Sequence, residues 1–166
     1  VRMALETLVH SAGWRARTAS SGEEFLALPR PATPSCLLVE LALGRSTGLE
    51  LQLRLLDRIE MPIVFMSGHP DVRSTVQAMK AGAFEFLTKP FADDVLMRTI
   101  REALEHSRAA LRQLAQTRAL QVRYESLSRR EREVMSLVVT GRLNKQVGGQ
   151  LGISEITVKA HRGKMM

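Results

Sequence analysis

The sequence predicts an α/β domain built on a parallel sheet, followed by a long linker helix and a small all-α domain. Over residues 1–105, short apolar runs alternate with amphipathic segments, which is typical of βαβ units. Beyond residue 122, closely spaced capping signals divide the chain into short helices. With 166 residues, of which 45% are hydrophobic, the chain is long enough to form both cores.

Four apolar runs have the length and composition of buried strands. They cover residues 14–19, 36–41, 63–67 and 83–87. The segments between them have helical signals, because Ser21 and Glu24 have the spacing of a capping box and a leucine-rich segment follows Gly48. A third helix is predicted over residues 71–81, where Gly82 closes it.

A long amphipathic helix is predicted from Asp93 to about Glu125. Its apolar stripe consists of Leu96, Ile100, Leu104, Leu111 and Leu114. We therefore predict a first domain over residues 1–105, a linker helix over 106–122 and a second domain over 123–166.

Positive charge is concentrated in the C-terminal part of the chain. Of the net charge of +7, residues 1–90 carry +1 (10 basic and 9 acidic side chains) and residues 91–166 carry +6 (14 basic and 8 acidic). This asymmetry favours a polyanion, most commonly nucleic acid, as the partner of the second domain. A solvated basic surface is the alternative explanation of the charge alone.

Capping signals in the second domain predict three short helices. Ser128 and Glu131 have capping-box spacing at the start of the first helix. Asn144 is the predicted N-cap of a second helix that ends at Gly152, and Ser154 is the predicted N-cap of the third. The last two form a helix-turn-helix, in which the final helix enters the major groove and the preceding one braces against the DNA backbone.

Several classes of protein are excluded by what the sequence lacks. It has no nucleophile–base pair, phosphate-cradling glycine loop or metal-binding cluster, so we predict that it is not an enzyme and needs no cofactor. Cys36 lies in an apolar run, can form no internal disulfide, and fits a reducing cytoplasm. No run approaches the roughly 20 apolar residues of a membrane helix. We expect a cytoplasmic protein.

Both ends of the sequence indicate a fragment. Residue 1 is Val rather than Met, and residues 163–166 stop inside a helical pattern without a terminator. We expect the natural protein to be longer.

Two stretches of the sequence resemble known domains. Residues 127–162, LSRREREVMSLVVTGRLNKQVGGQLGISEITVKAHR, resemble the LuxR-type helix-turn-helix almost position for position. Residues 1–105 resemble the receiver domain of two-component response regulators through PIVFMSGH at 62–69, AMKAGA at 78–83 and FLTKPF at 86–91. The combination is similar to the FixJ/NarL class. It implies a flavodoxin-like, doubly wound receiver joined to the helix-turn-helix, and a transcription regulator whose partners are double-stranded DNA and a histidine kinase.

The resemblance is incomplete at both ends. The chain begins at what resembles the first helix, so the first strand, which is central in such a sheet, is missing. We expect another segment or a longer natural chain to supply it. The chain also stops before the fourth helix through which LuxR-type modules dimerise, so we expect a homodimer that forms through the receiver and the linker helix.

The resemblance assigns roles to four receiver positions. Glu40 stands in place of the phospho-acceptor Asp at the end of the third strand. Ser67 and Lys89 match the hydroxyl and the lysine that contact the phosphoryl group, and Phe86 matches the aromatic switch position. A cis peptide is expected between Lys89 and Pro90. The acidic pair that holds Mg²⁺ in the family is missing here, so we expect phosphorylation to be slow.

Two hypotheses for Glu40 stay open. Its longer side chain could place a carboxylate within reach of Lys89 and Ser67, imitate the phosphoryl charge and bias the receiver toward its active arrangement. Alternatively, the receiver is degenerate and serves only as a platform for dimerisation or protein interaction.

On the third helix of the second domain, Lys159 is the candidate for reaching a base edge and Ala160 for contacting a thymine methyl. The residues expected to contact phosphates are Asn144, Lys145, Thr157, Arg162 and Lys164, and His161 is expected to pack or to contact phosphate. The full predicted DNA-binding set is Asn144, Lys145, Ser154, Thr157, Val158, Lys159, Ala160, His161 and Arg162. Gly148 and Gly149 each cost about 1 kcal/mol in a helix relative to Ala, which predicts a soft bracing helix.

Overall fold

The computed structural model describes residues 2–43 and 46–165, and the chain divides into two compact units, Val1–Gln113 and Leu114–Met166. In chain order the elements are α1 (Arg2–Ser11), α2 (Gly22–Ala27), β1 (Leu37–Glu40), β2 (Ala42–Leu43), β3 (Ser46–Thr47), α3 (Gly48–Arg54), β4 (Ile63–Ser67), α4 (Val72–Lys80), β5 (Glu85–Thr88), α5 (Asp93–Ser126), α6 (Arg129–Val138), α7 (Asn144–Leu151) and α8 (Glu155–Met165). None of the described helices is both long and apolar enough to cross a membrane.

A parallel sheet in the order β1-β4-β5 forms the centre of the first unit. All five residues of β4 are buried, which is typical of a strand covered on both faces. Val64 and Met66 pack on one face with α1 and α5, while Phe65 and Ile63 pack on the other with α3 and α4. The predicted doubly wound α/β fold is confirmed.

The predicted strand over residues 14–19 is wrong. These residues have no regular secondary structure, and within the described chain residues 15–19 make no backbone–backbone hydrogen bonds. A strand exists only where a neighbour satisfies its amides and carbonyls, and the sheet that is described begins at β1. The run is apolar because Trp14 and Ala16 pack against the core, not because it is paired.

The other strand predictions are confirmed with small shifts, since β5 begins at Glu85 instead of Ala83. A short hairpin was missed: β2 pairs with β3 in antiparallel fashion directly after β1. The predicted helix starts hold, because Ser21, Thr47 and Asp71 each accept a hydrogen bond from the backbone amide three residues on.

Helix α5 runs for 34 residues and ends one residue beyond the predicted Glu125. Leu96, Ile100 and Ser107 of this helix are buried in the first unit. The Ser107 hydroxyl donates to the carbonyl oxygen of Glu60 and accepts from the amide of Ser35 at 3.0 Å. This side chain fastens the helix to the segments that lead into β1 and β4.

The second unit forms its core from one valine of each short helix. Val134 of α6, Val147 of α7 and Val158 of α8 are all fully buried and pack together. Ser128 caps α6 as predicted, and Glu131 completes the capping box by accepting from the Ser128 amide at 2.8 Å. The all-α domain is therefore a three-helix unit with a small apolar centre.

Candidate functional site

The turn between α7 and α8 has the predicted chemistry. Gly152 ends α7 with a φ of +66°, a left-handed conformation that favours glycine. The amide of Ile153 then donates to the carbonyl oxygen of Gly148 at 3.0 Å. Ser154 caps α8, because its hydroxyl accepts from the Thr157 amide at 3.1 Å. Gly152 and Ser154 therefore define where α7 ends and where α8 begins.

The two adjacent glycines of α7 have different explanations. A Cβ added at Gly148 would lie 2.7 Å from the carbonyl oxygen of Ile153, so only glycine lets the turn pass this close to the helix. A Cβ added at Gly149 would meet nothing within 4 Å. The conflict predicted from helix propensity is therefore explained by packing at Gly148, while nothing in the structure explains Gly149.

Asn144 does not cap α7, so that prediction is wrong. The N-cap residue is Leu143, whose amide donates to Gln146 Oε1 at 2.9 Å. Asn144 lies in the first turn of the helix, and its Oδ1 accepts from Arg162 Nη1 of α8 at 2.8 Å. Both side chains were predicted to contact phosphates, but they bind each other instead and tie the start of α7 to α8.

Val158 is not a DNA-contacting residue, because its exposed fraction is 0%. It occupies the core position of α8, and the 100° turn per residue places the opposite side of the helix in solvent. We call that opposite side the outer face of α8. Its exposed residues are Glu155, Ile156, Lys159, Ala160, Gly163 and Lys164.

The outer face contains the two residues expected to read bases and one that was missed. The Lys159 side chain is 63% exposed, and its Nζ lies 3.4 Å from Glu155 Oε1. Ala160 is exposed beside it. Ile156, which is 80% exposed, was not predicted. Helical periodicity counted from the buried Val158 would have found it.

The remaining predicted residues divide between exposed and supporting positions. Lys145 is exposed in the first turn of α7. Thr157 is half-buried, and its hydroxyl bonds that of Ser154 at 2.8 Å. His161 is half-buried, and within the described chain its buried Nδ1 has no hydrogen-bond partner. The outer face of α8 thus exposes cationic and apolar side chains. The half-buried residues beside it, such as Thr157, make contacts within the domain.

Helix α6 supports the turn through residues that the sequence did not single out. Arg130 Nη2 donates to the carbonyl oxygen of Leu151, the last residue of α7, at 2.8 Å, and its Nη1 donates to Glu133 at 2.7 Å. The guanidinium of Arg130, with that of Arg129, lowers the pKa of Glu133. Hydrogen bonds from the amide and hydroxyl of Ser128 lower the pKa of Glu131.

In the first unit, two of the four predicted receiver residues meet directly. Glu40 ends β1 and Lys89 follows β5, and their side chains form an ion pair that leaves them 38% and 23% exposed. The Lys89 amide donates to the carbonyl oxygen of Ser67 at 2.8 Å, which joins the carboxyl ends of neighbouring strands. The bond between Lys89 and Pro90 is cis, as predicted.

The other two residues lie beside this pair without contacting it through their side chains. The hydroxyl of Ser67 is occupied locally, because it accepts from the His69 amide at 3.2 Å. The Phe86 ring stacks on Phe65 with centroids 6.1 Å apart, inside the apolar cluster under the sheet. The predicted approach of Glu40 to Lys89 is present, and no hydrogen bond to Ser67 accompanies it.

Gly48 is a residue of this corner that sequence reasoning did not explain. A Cβ added there would lie 2.6 Å from the carbonyl oxygen of Glu40 and 2.8 Å from the Phe65 ring. Gly48 lies eight residues after Glu40, and the β2–β3 hairpin separates the two in the chain. Local sequence patterns do not reveal a contact of this kind. Gly48 therefore lets the start of α3 pack directly against the end of β1.

The described residues do not fit a bound Mg²⁺ ion. They include no group of three or more His, Cys, Asp or Glu side chains that could hold a metal. The Glu40 carboxylate is already bound by the Lys89 ammonium, whose positive charge competes with a cation at this position.

Comparisons with protein families match both parts of the chain. Residues 1–101 match the family model "Response regulator receiver domain", and residues 125–166 match "Bacterial regulatory proteins, luxR family". The chain is 41% identical over 170 residues to Nodulation protein W of Bradyrhizobium diazoefficiens, covering 100% of this chain and 74% of that protein. It is 37% identical to Transcriptional regulatory protein FixJ of Rhizobium meliloti, covering 100% of this chain and 82% of that protein.

Solved structures agree with these matches. The response regulator StyR is similar over 100% of this chain and 84% of its own, with 38% identity and a TM-score of 0.83. Full-length FixJ from B. japonicum is similar over 99% of this chain and 82% of its own, with 33% identity and a TM-score of 0.58.

Proposed function

The chain belongs to the two-component response regulators of the FixJ/NarL class, and we propose that it regulates transcription by placing the outer face of α8 in the major groove of double-stranded DNA. The observation that carries this proposal is the exposure of Lys159 on a helix whose opposite side, at Val158, is fully buried. A helix anchored in this way presents its cation to a base edge without giving up its packing.

Phosphate contacts are proposed for Lys145 and Lys164, two of the five residues expected from the sequence to contact phosphates. Lys145 is exposed in the first turn of α7, and Lys164 is exposed in the last turn of α8. The exposed amides at the start of α7 add to the positive potential there. Arg162 and Asn144 are left out, because each is the other's partner.

A salt titration of DNA binding tests this proposal. We expect the full chain to bind one selected duplex far more tightly than random duplex, and Lys159→Ala to weaken specific binding by roughly 1–3 kcal/mol, or 5-fold to 150-fold. Lys80→Ala, which removes an exposed lysine of the first unit, is the matched control and should change nothing. Unchanged selectivity in the Lys159 variant would refute the role of that side chain.

For the receiver, we propose that Glu40 occupies the position of the phospho-acceptor and that its carboxylate is a permanent partial substitute for the phosphoryl charge. The proposal is supported by the ion pair with Lys89. A receiver domain implies interaction with a histidine kinase, and the same proposal makes transfer to this chain slow, because the Glu40 carboxylate is already paired with the Lys89 ammonium.

Replacing Glu40 distinguishes this proposal from the alternative that the receiver is only a platform for dimerisation or protein interaction. If the carboxylate biases the receiver, Glu40→Gln should weaken DNA binding while leaving the folded state intact, because it removes the charge and keeps the shape. If the receiver is only a platform, the same variant should bind DNA like the parent chain. Incubation with acetyl phosphate and Mg²⁺ should leave the chain unmodified by mass spectrometry, and phosphorylation at Glu40 would contradict both ideas.

A homodimer that forms through the receiver and the linker helix is also proposed. It is supported by exposed apolar side chains at i, i+4 and i+7 on α4, namely Val72, Val76 and Met79, and by exposed Leu120 and Val122 on α5. Sedimentation should show dimers of the full chain. Val76→Glu should shift them toward monomer, and an unchanged mass would place the dimer contact elsewhere.

A further inference from the structure

We infer that Ile156 determines part of the sequence specificity, by packing on the C5-methyl group of a pyrimidine in the floor of the major groove. The inference deepens the proposed DNA-binding function and depends on it.

Ile156 is not among the residues that pack in the apolar core of the second unit, as far as the described residues show. Its exposed fraction is 80%, whereas Val158, two residues later, is fully buried. Ile is also a poorer helix former than Ala, because its branched Cβ restricts the side chain against the preceding turn. A large apolar side chain held in water in the first turn of α8 therefore contributes neither to the core nor to helix stability.

The spacing of the outer face makes Ile156 its most prominent apolar group. Ile156, Ala160 and Gly163 stand at i, i+4 and i+7, so they form one line along the helix. Ala160 and Gly163 are small, which lets the helix backbone approach a surface closely. The early residues of a recognition helix are those that meet base edges, and Ile156 is the second residue of α8.

The charges around this line favour DNA over an apolar protein surface. Lys159 and Lys164 are exposed on the same outer face. Glu155 lies next to Ile156, but its carboxylate is 3.4 Å from the Lys159 ammonium, so its charge is offset. An apolar side chain on the same exposed helix side as two cations matches a groove whose walls are phosphates and whose floor contains methyl groups.

Only one kind of base feature in the major groove suits such a side chain. Purine edges and the cytosine amino group offer hydrogen bonds that isoleucine cannot make, whereas thymine presents a methyl group. A 5-methylcytosine presents the same methyl group at the same place. The recognised feature is therefore the methyl group, independent of which of the two bases carries it.

Single-atom changes in the DNA test this inference with the full chain. The probe is the duplex that the chain itself selects from a pool of random 20-base-pair sequences, with each thymine replaced in turn by deoxyuridine, which lacks the methyl group. We expect one thymine, or one symmetric pair, at which the loss of the methyl group weakens binding about fourfold, the effect of burying one methyl group. Ile156→Ala should bind the parent duplex more weakly and should lose its sensitivity at that position. At that position, the parent chain should bind a duplex with a 5-methylcytosine–guanine pair more tightly than one with a cytosine–guanine pair. The Ile156→Ala variant should bind these two duplexes equally.

The matched control is Ile59→Ala, which truncates another exposed isoleucine, in the first unit. It should keep the full deoxyuridine profile. If Ile156→Ala keeps the parent profile at every thymine, or if no thymine is sensitive in the parent chain, the inference is overturned while the proposed function stands. If the chain selects no DNA sequence at all, both the proposed function and the inference are wrong.

Discussion

Two lysine–glutamate pairs in this chain are held in opposite ways. Lys89 and Glu40 come from strand ends 49 residues apart, and their side chains are 23% and 38% exposed. Lys159 and Glu155 are neighbours on one turn of α8, and their side chains are 63% and 48% exposed. Solvent screens the second pair far more than the first, so it contributes little and separates easily. Lys89 is therefore held within the protein, whereas the side chain of Lys159 remains largely exposed to solvent.

The supports of the two lysines differ as well. Lys89 is positioned by its charge partner and by the hydrogen bond that its backbone amide donates to the carbonyl oxygen of Ser67. Lys159 is positioned by the packing of its helix, through the buried Val158 and the close approach at Gly148. Under the proposed function, the lysine that would contact DNA is aligned by the packing of its helix, while its own charge is only weakly paired.

The largest expected effect comes from disturbing the packing that aligns Lys159. Gly148→Ala places a Cβ 2.7 Å from the Ile153 carbonyl oxygen, which should destabilise the second unit by about 1–3 kcal/mol and weaken DNA binding. Hydrogen exchange of the amides of α6, α7 and α8 measures the stability. Gly149→Ala is the control, and it should instead stabilise the unit by about 1 kcal/mol, since its Cβ meets nothing. Equal effects of the two variants on stability would show that the turn can accommodate a Cβ at position 148.

A double-mutant cycle of Glu40→Gln and Lys89→Met tests the first pair. We expect a coupling of about 1 kcal/mol in the unfolding free energy, read from the fluorescence of Trp14. The exposed pair of Glu105 and Arg108 provides the reference cycle, which should give a coupling near zero. If the effects of the Glu40 and Lys89 substitutions on the unfolding free energy are additive, this partly buried pair has no coupling and does not differ from an exposed pair.

Arg162 is expected to support α8 instead of binding DNA. Arg162→Gln should lower the stability of the second unit by about 1 kcal/mol, because its bond to Asn144 Oδ1 is lost or weakened. It should leave the slope of log K against log salt unchanged. Lys145→Gln should do the reverse, with unchanged stability and a slope lower by about 1. A lower slope for Arg162→Gln would mean that the guanidinium leaves Asn144 to contact a phosphate.

The smallest effect is expected at the second pair. Glu155→Gln should cost about 0.3–0.5 kcal/mol of stability, the contribution of an exposed i,i+4 pair. DNA binding should strengthen slightly, since a negative charge near the phosphates is removed. Weaker binding would indicate that the Glu155 carboxylate accepts a hydrogen bond from a cytosine amino group.

Local signals in the sequence predicted most helix starts correctly. Ser128, Ser21 and Asp71 each accept a hydrogen bond from the backbone amide three residues on, a range that sequence spacing can report. Asn144 failed the same rule because its side chain is used by Arg162, 18 residues away. A capping residue with a competing long-range partner cannot be recognised from spacing alone.

The side of α8 that faces solvent was predicted only in part. The residue types on α8 indicated DNA binding, yet Val158 was included and Ile156 omitted, because the side of the helix that faces the core depends on α6 and α7. The 14–19 segment shows the same limit for strands. Its composition is right for a strand, but pairing is a property of its neighbours.

The meeting of Val134, Val147 and Val158 has a consequence for how the second unit folds. Each helix contributes one branched side chain that has essentially one rotamer in a helix, so the three can interlock in a single arrangement. No two of the helices can enclose an apolar centre without the third. Assembly of this small domain should therefore be all-or-none, and a proteolytic cut that removes α8 should leave α6 and α7 unstructured although they stay joined to α5.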